Sequence, residues 1–229
     1  MNKPYNGNPV DLKIAIDGPA GAGKSSVARE VAKRLNIRYL DTGAMYRAVT
    51  LKFIREKINL ADLERVDTVL DNTSIRIGNQ QNIFLDNQDV TAEIRLPQVN
   101  ELVSPVSCLS AVRRRLVSAQ QEIAAESGGI IMEGRDIGSR VMPDADFKFY
   151  LDASISERAR RRSSEQIVKG IILDQEAVAA EIKNRDQIDS KREISPLTIV
   201  EDAIVIDTTE MTFEEVVNKI VETVTTSLH

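Results

Sequence analysis

The sequence contains no tryptophan, and aromatic residues fill only 4% of its 229 positions. A chain so poor in ring faces has few platforms for stacking unpaired bases, which argues against a single-stranded nucleic-acid binder. Its net charge of −5 leaves no general attraction to nucleic acid or to anionic membrane, so any anionic ligand must be met by a local basic cluster. One cysteine, Cys108, excludes an intramolecular disulfide and fits a reducing, cytoplasmic setting; it reads as a small buried hydrophobe. The single histidine, His229, is the last residue, which removes histidine-based proton transfer and His/Cys zinc sites. No run approaches the roughly 18 apolar residues that a membrane span needs.

What is present is ordinary for a folded domain: 42% hydrophobic and 28% charged residues, in a length that suits one α/β domain with insertions. Residues 1–11 (MNKPYNGNPVD) read as a flexible polar tail. Leu12–Asp17 is a short apolar run that reads as a buried strand, and Val27, Val31 and Leu35 mark one face of the helix that follows. Ile37–Asp41 reads as a second strand, leading to a helix from Ala44 to about Arg55. After a helix over Asp62–Leu70, Ser74–Ile77 and Asn82–Leu85 read as a hairpin, so residues 66–105 are expected to form an inserted subdomain. A helix over Ser110–Ser127 follows, stopped by Gly128-Gly129, then strands at Ile130–Met132, Phe147–Leu151 and Ala203–Ile206. Ser154 with Glu157, and Thr212 with Glu215, have capping-box spacing at two helix starts. A further helix is expected over Asp174–Asp186, and Phe213, Val216, Val217, Ile220, Val221 and Val224 form the apolar stripe of the last one. Alternating strands and helices predict an α/β fold, with a parallel sheet covered by helices on both faces. The core comprises residues 12–65 and 106–229.

Gly18-Pro19-Ala20-Gly21-Ala22-Gly23-Lys24-Ser25 matches G-x-x-x-x-G-K-[ST] between a strand and a helix. In such a P-loop the glycines let successive N–H groups turn inward around the β- and γ-phosphates of a nucleotide. Lys24 adds a mobile charge, and the Ser25 hydroxyl can ligate Mg²⁺. The alternative, a glycine-rich turn without a ligand, is disfavoured by the apolar strand entering and the amphipathic helix leaving. No Asn-Lys-x-Asp motif of a GTPase is present, and no apolar strand ends in the Asp-Glu pair of a motor ATPase. Phosphoryl transfer to a second small substrate is the better class.

Bringing two charged phosphates together requires fixed cations and a cover against water. Arg47, Arg113, Arg135, the run Arg158, Arg160, Arg161 and Arg162, Arg185 and Arg192 are the candidates. Asp41-Thr42-Gly43-Ala44-Met45-Tyr46-Arg47 lies at a strand-to-helix junction, and Glu133-Gly134-Arg135-Asp136 follows a strand, both at the ligand edge expected of a parallel sheet. Arg185, Asp189 and Arg192 share a helix face by spacing. For Arg158–Arg162 the competing reading is a solvated helix face.

From about residue 12 to residue 224 the sequence resembles the bacterial cytidylate kinase family. The resemblance is carried by IDGPAGAGKSS, LDTGAMYR, the inserted hairpin, IMEGRDIG, PDA, ARRR, EIKNRD and the final IDT. It implies transfer from ATP, with Mg²⁺, to CMP or dCMP, by a P-loop core with a monophosphate-side insert and a short arginine-bearing lid at about 156–175. It further implies that Ser104, Arg113 and Asp136 read the cytosine, whose N4 donor and N3 and O2 acceptors complement a carboxylate, a guanidinium and a hydroxyl. Thr42, Arg47, Arg135 and Arg185 would hold the acceptor phosphate beside Asp41, and Asp189 the sugar hydroxyls, with Arg192 next to it. Ser26 would join the P-loop at ATP, and Arg158, Arg161 and Arg162 would close over its phosphates. Lys24, Arg135, Arg158, Arg162 and Arg185 are the expected catalytic cations. Partners other than these nucleotides are not expected, and a monomer is. Alternatives are a P-loop kinase for another small acceptor, and a nucleotide-binding switch that does not transfer phosphate.

Overall fold

The computed structural model describes residues 11–78, 81–168 and 174–227; most of the expected tail, residues 169–173 of the expected lid, and His229 lie outside them. In chain order the elements are β1 (Lys13–Asp17), α1 (Lys24–Leu35), β2 (Arg38–Asp41), α2 (Thr42–Arg55), α3 (Leu63–Asp71), β3 (Ile75–Ile77), β4 (Ile83–Leu85) and β5 (Gln88–Asp89). They continue with α4 (Pro97–Cys108), α5 (Ser110–Glu126), β6 (Ile130–Gly134), β7 (Phe147–Asp152), α6 (Ile155–Val168), α7 (Gln175–Lys191), β8 (Ile204–Asp207) and α8 (Phe213–Ser227). The chain divides into two units, residues 1–39 with 124–229, and residues 40–123.

In the first unit a five-stranded sheet runs in the order β2-β6-β1-β7-β8, and the pairings of β1 with β6 and β7, and of β7 with β8, are parallel. The register sets Ile14 beside Ile131 and Phe147, and Ile16 beside Phe149. Because strand side chains alternate, these fall on one face, where Val27 and Val31 of α1 and Val217, Ile220 and Val224 of α8 bury them. Each such aliphatic side chain contributes at most about 1.5–3 kcal/mol by leaving water. Ile16 also aligns with Glu133, so the α1 face of β6 ends in a carboxylate. Asp17 and Gly134 align on the opposite face.

Two expected features of this unit come out differently. β8 is an edge strand, so Ile204 and Val205 are 37% and 51% exposed instead of buried, and Phe213 at the start of α8 is 49% exposed because the helix stripe closes only from Val216 onward. α7 ends at Lys191, leaving Arg192 in an extended conformation (φ −63, ψ 142) just beyond the helix that was expected to carry it.

In the second unit β3, β4 and β5 form an antiparallel sheet, with Ile75 opposite Leu85 and Ile77 opposite Ile83. Ala44, Ala48 and Leu51 of α2 pack with Ile83 and Leu85 in one cluster, while Met45, Val49 and Phe53 of α2 pack with Val103 and Val106 of α4 and Leu116 of α5 in another. The sequence reading had no counterpart to α4. Pro97 sits in its first turn, where a missing N–H costs nothing, and Pro105 lies in its interior, where proline ordinarily disfavours a helix. Cys108 is exposed, not buried, because it falls at the last turn of α4 beside the inward-facing Val106 and Ser107.

Candidate active site

The loop between β1 and α1 is shaped by positions that tolerate no side chain. A Cβ on Gly18 would lie 2.0 Å from the Leu151 carbonyl oxygen, and Gly23 caps α1 in the left-handed region at φ 84. Lys24 is 5% exposed and its Nζ donates to the Pro19 carbonyl at 2.7 Å. Burial first, and then the field of Arg135, push its ammonium down to about 7, against the pull of Glu133; Arg185 adds to the depression. A buried lysine crowded by two guanidinium groups is a site that lacks negative charge.

Ser25, one residue on, donates its hydroxyl proton to Glu133 Oε1 at 2.6 Å. A hydroxyl and a carboxylate side by side at the phosphate end of the loop are hard oxygen donors of the type Mg²⁺ takes, the rest of its shell coming from phosphate and water. Asp17, on the other face of β1, accepts from the N–H groups of Ile137 and Gly138 at 2.9 and 2.8 Å. These bonds pin the single π-helical turn Ile137–Val141 that follows Asp136. Burial pushes the Asp17 carboxyl up to about 6.

Behind this lies an arginine–carboxylate cluster from the same unit. Arg135 Nε donates to Asp189 Oδ2 at 2.8 Å, and Arg192 reaches Asp136 at 3.6 Å and Asp189 at 3.8 Å. Burial opposes ionisation of Asp189, but Arg135, Arg185 and Arg192 together hold its carboxyl below the usual range. The arginines of α6 separate. Arg161 donates to Thr208 Oγ1 and to the Thr208 carbonyl at 2.9 and 2.6 Å, and its Nη1 lies 3.9 Å from where a Gly23 Cβ would be. Arg162 turns instead to Glu181 of α7 at 2.7 Å. Arg158 is 4% exposed and lies under the loop, where it bonds the carbonyls of Ala20 and Ala153.

In the second unit the Asp41 carboxylate caps α2 by accepting from Ala44 N–H at 3.0 Å and pairs with Arg95 at 2.7 Å. Burial would raise its pKa, but Arg47 and Arg95 outweigh burial and lower it. Arg47 donates to Asn100 at 3.4 Å, and a Cβ on Gly43 would stand 3.1 Å from both Arg47 Nη1 and Asp41 Oδ1, a tight fit that a side chain there would have to displace by a few tenths of an ångström. Thr42 begins α2 and is buried. Ser104 and Arg113 come together through the α4–α5 corner: Ser107 Oγ donates to the Ser104 carbonyl at 2.8 Å, and Arg113 to the Ser107 carbonyl at 3.2 Å. The Arg113 guanidinium stacks over Tyr46 at 5.4 Å.

Sequence reasoning singled out neither Asp17 nor Asp186, although both lie within quoted motifs, and it passed over Arg95 and Asn100. Those two lie in a stretch with no motif at all, and only the fold of the second unit brings them to Asp41 and Arg47.

The family model described as Cytidylate kinase matches residues 14–226. The chain is 53% identical over 215 residues to the cytidylate kinase of Caldanaerobacter subterraneus subsp. tengcongensis, covering 94% of this chain and 95% of that one. It is 51% identical over 214 residues to the cytidylate kinase of Carboxydothermus hydrogenoformans, covering 92% and 96%. Among solved structures, an uncharacterized protein from Eubacterium ventriosum shares the fold with a TM-score of 0.52 at 12% identity, over 94% of this chain and 99% of that one. With a family match that spans nearly the whole sequence, and relatives of about this length at half identity, the chain belongs to the cytidylate kinase family.

Proposed function

We infer that this chain transfers the γ-phosphoryl group of ATP to CMP or dCMP, giving ADP with CDP or dCDP. The observation that carries this reading is the geometry of the loop, whose buried Lys24 is held on the Pro19 carbonyl while Ser25 beside it hydrogen-bonds Glu133. Burial and the neighbouring Arg135 and Arg185 depress the Lys24 ammonium, in keeping with a site that receives anions. Membership of the cytidylate kinase family supports ATP as donor and the cytidine monophosphates as acceptors.

In this reading the loop Gly18–Ser26 binds the donor phosphates through its backbone, and Lys24 follows the transferring charge. Arg161 and Arg162 close over the donor. Thr42, Arg47, Arg135 and Arg185 hold the acceptor phosphate, with Asp41 keeping α2 in place beside it, and Asp189 and Arg192 take the sugar. Ser104, Arg113 and Asp136 read the base. Ser25 and Glu133 would hold Mg²⁺, which supplies charge neutralisation on the phosphates when bound with ATP. The acceptor oxygen is already anionic at neutral pH, so the residues have no proton to abstract. Their contribution is positioning and charge stabilisation in a site shielded from water. Uracil would set a carbonyl against the Asp136 carboxylate, with no proton between them, and is disfavoured.

The test is ADP formation from Mg·ATP with CMP, dCMP, UMP, AMP and GMP offered separately. Rapid turnover with CMP and dCMP alone is expected. Rapid turnover with a different monophosphate would discard the base readers, and silence with all five would discard the transfer reaction.

A further inference from the structure

Arg158 was expected to project from its helix over ATP. Instead its guanidinium is buried against the phosphate loop, where Nη1 donates to the Ala20 carbonyl at 3.0 Å and to Asp186 Oδ2 at 2.6 Å, and Nε donates to the Ala153 carbonyl at 2.8 Å. The other oxygen of Asp186 accepts the Ala20 N–H at 3.3 Å. Both polar groups of one loop residue are therefore held by one ion pair, whose partners stand on α6 and α7. The fit leaves little slack: Gly21, at φ 79, has the Arg158 Cβ 3.2 Å from where its own Cβ would be.

The geometry of the peptide bond shows what this holds. In a trans peptide the C=O and the following N–H point in opposite directions. Fixing the Ala20 carbonyl on Arg158 aims the Gly21 N–H away from α6. Fixing the Ala20 N–H on Asp186 aims the Pro19 carbonyl the other way, and that carbonyl is the one Lys24 Nζ bonds at 2.7 Å. One turn further along α7, Asp189 takes Arg135. A single helix thus touches the loop through Asp186 and Arg135 through Asp189.

We propose that Arg158 and Asp186 form a positioning pair that sets the Pro19–Ala20–Gly21 peptides of the phosphate loop and couples donor binding to acceptor binding through α7. The coupling rests on the reading of Arg185 and Asp189 as acceptor residues. The placing of the loop does not.

The experiment measures the ADP dissociation constant with and without saturating CMP, in wild type, Asp186→Asn, Asp186→Ala and Ile182→Val. CMP is expected to tighten ADP about fivefold or more in wild type, an ordinary size for coupled sites. In both Asp186 variants that ratio should fall to about one, while ADP alone weakens about tenfold and kcat falls by up to about 10², as expected for a misplaced loop. Ile182→Val loosens the buried contact between α6 and α7 without touching the ion pair, and should lower Tm while keeping the wild-type ratio. Asp186→Asn is isosteric, so a failure of Asp186→Ala to fold leaves the question answerable. An unchanged ratio in Asp186→Asn, an equal loss in Ile182→Val, or a wild-type ratio of one would each overturn the coupling. If CMP does not bind wild type at all but ADP still weakens in the Asp186 variants, the acceptor reading fails and the placing of the loop stands.

Discussion

In the first unit the residues Gly18–Ser25 are turned locally, by glycines at φ 149, 79 and 84, and are then held from a distance by Arg158 and Asp186 on the Ala20 carbonyl and N–H. In the second unit the cluster proposed to read the base draws on separate helices: Ser104 and Ser107 from α4, Arg113 from α5 and Tyr46 from α2. A backbone site depends on a few glycines and on a lysine held in place. A side-chain site depends on a fold, and it can be altered one hydrogen bond at a time. Lys24→Ala should therefore be the most damaging single change, lowering kcat by about 10³ because a preorganised charge is lost at the transferring group. Circular dichroism should stay close to wild type, and a variant with wild-type turnover would remove the loop from the chemistry.

Base selection, in which Asp136 of the first unit is proposed to join Ser104 and Arg113, is tested by Asp136→Asn. The amide keeps the size of the side chain and offers an N–H where uracil presents a carbonyl. The ratio of kcat/KM for CMP to that for UMP should fall by about 10–10², with a much smaller change in turnover of CMP. An unchanged ratio would move base selection onto Ser104 and Arg113.

The same contrast explains what could be read from sequence. The loop motif, the strand before it and the helix after it form one continuous stretch, so local pattern located them to within a residue or two: β1 and α1 fall at Lys13–Asp17 and Lys24–Leu35. The two arms of the hairpin were legible for the same reason. The helix bearing Ser104 was not, because proline inside a helix is disfavoured and only packing against α2 and α5 carries the helix through Pro105. Arg95 and Arg158 failed in opposite ways. Arg95 has no motif and pairs with Asp41 across a long sequence separation, whereas Arg158 lies in a conspicuous basic run of which it is the buried member.

A pH measurement sharpens the account of the loop. Above pH 7 the ligand-free Lys24 is chiefly uncharged, and phosphates placed beside it restore the ammonium. ADP binding at pH 8 should therefore take up a proton, seen as a binding enthalpy that depends on the ionisation enthalpy of the buffer, and Lys24→Ala should abolish the effect. No proton uptake by wild type at pH 8 would show that Lys24 is already charged in the free protein. The linkage has a second consequence. A lysine depressed from 10.5 to about 7 binds its proton more readily in the unfolded chain, so its contribution to stability grows as pH rises through that window. Saturating ADP should flatten that rise.

The smallest effect separates two helix starts that the sequence could not tell apart. Thr212 and Glu215 close the capping box in both directions: Glu215 N–H donates to Thr212 Oγ1 at 3.3 Å, and Thr212 N–H to Glu215 Oε2 at 2.8 Å. At Ser154 only one arm forms, with Glu157 N–H donating to its Oγ at 3.2 Å, because Arg160 and Arg161 draw the Glu157 carboxylate away and hold its pKa down at about 2. Thr212→Ala should cost about 1 kcal/mol, a Tm loss of about 2–4 °C in a chain of this size, with kinetics unchanged. Glu157→Gln should hardly move Tm, since its pairs are at the surface, yet it should raise KM for ATP by releasing Arg161. Equal Tm losses from the two substitutions, with no change in KM, would mean that Glu157 is a cap after all, and that the arginines of α6 do not depend on it for their place.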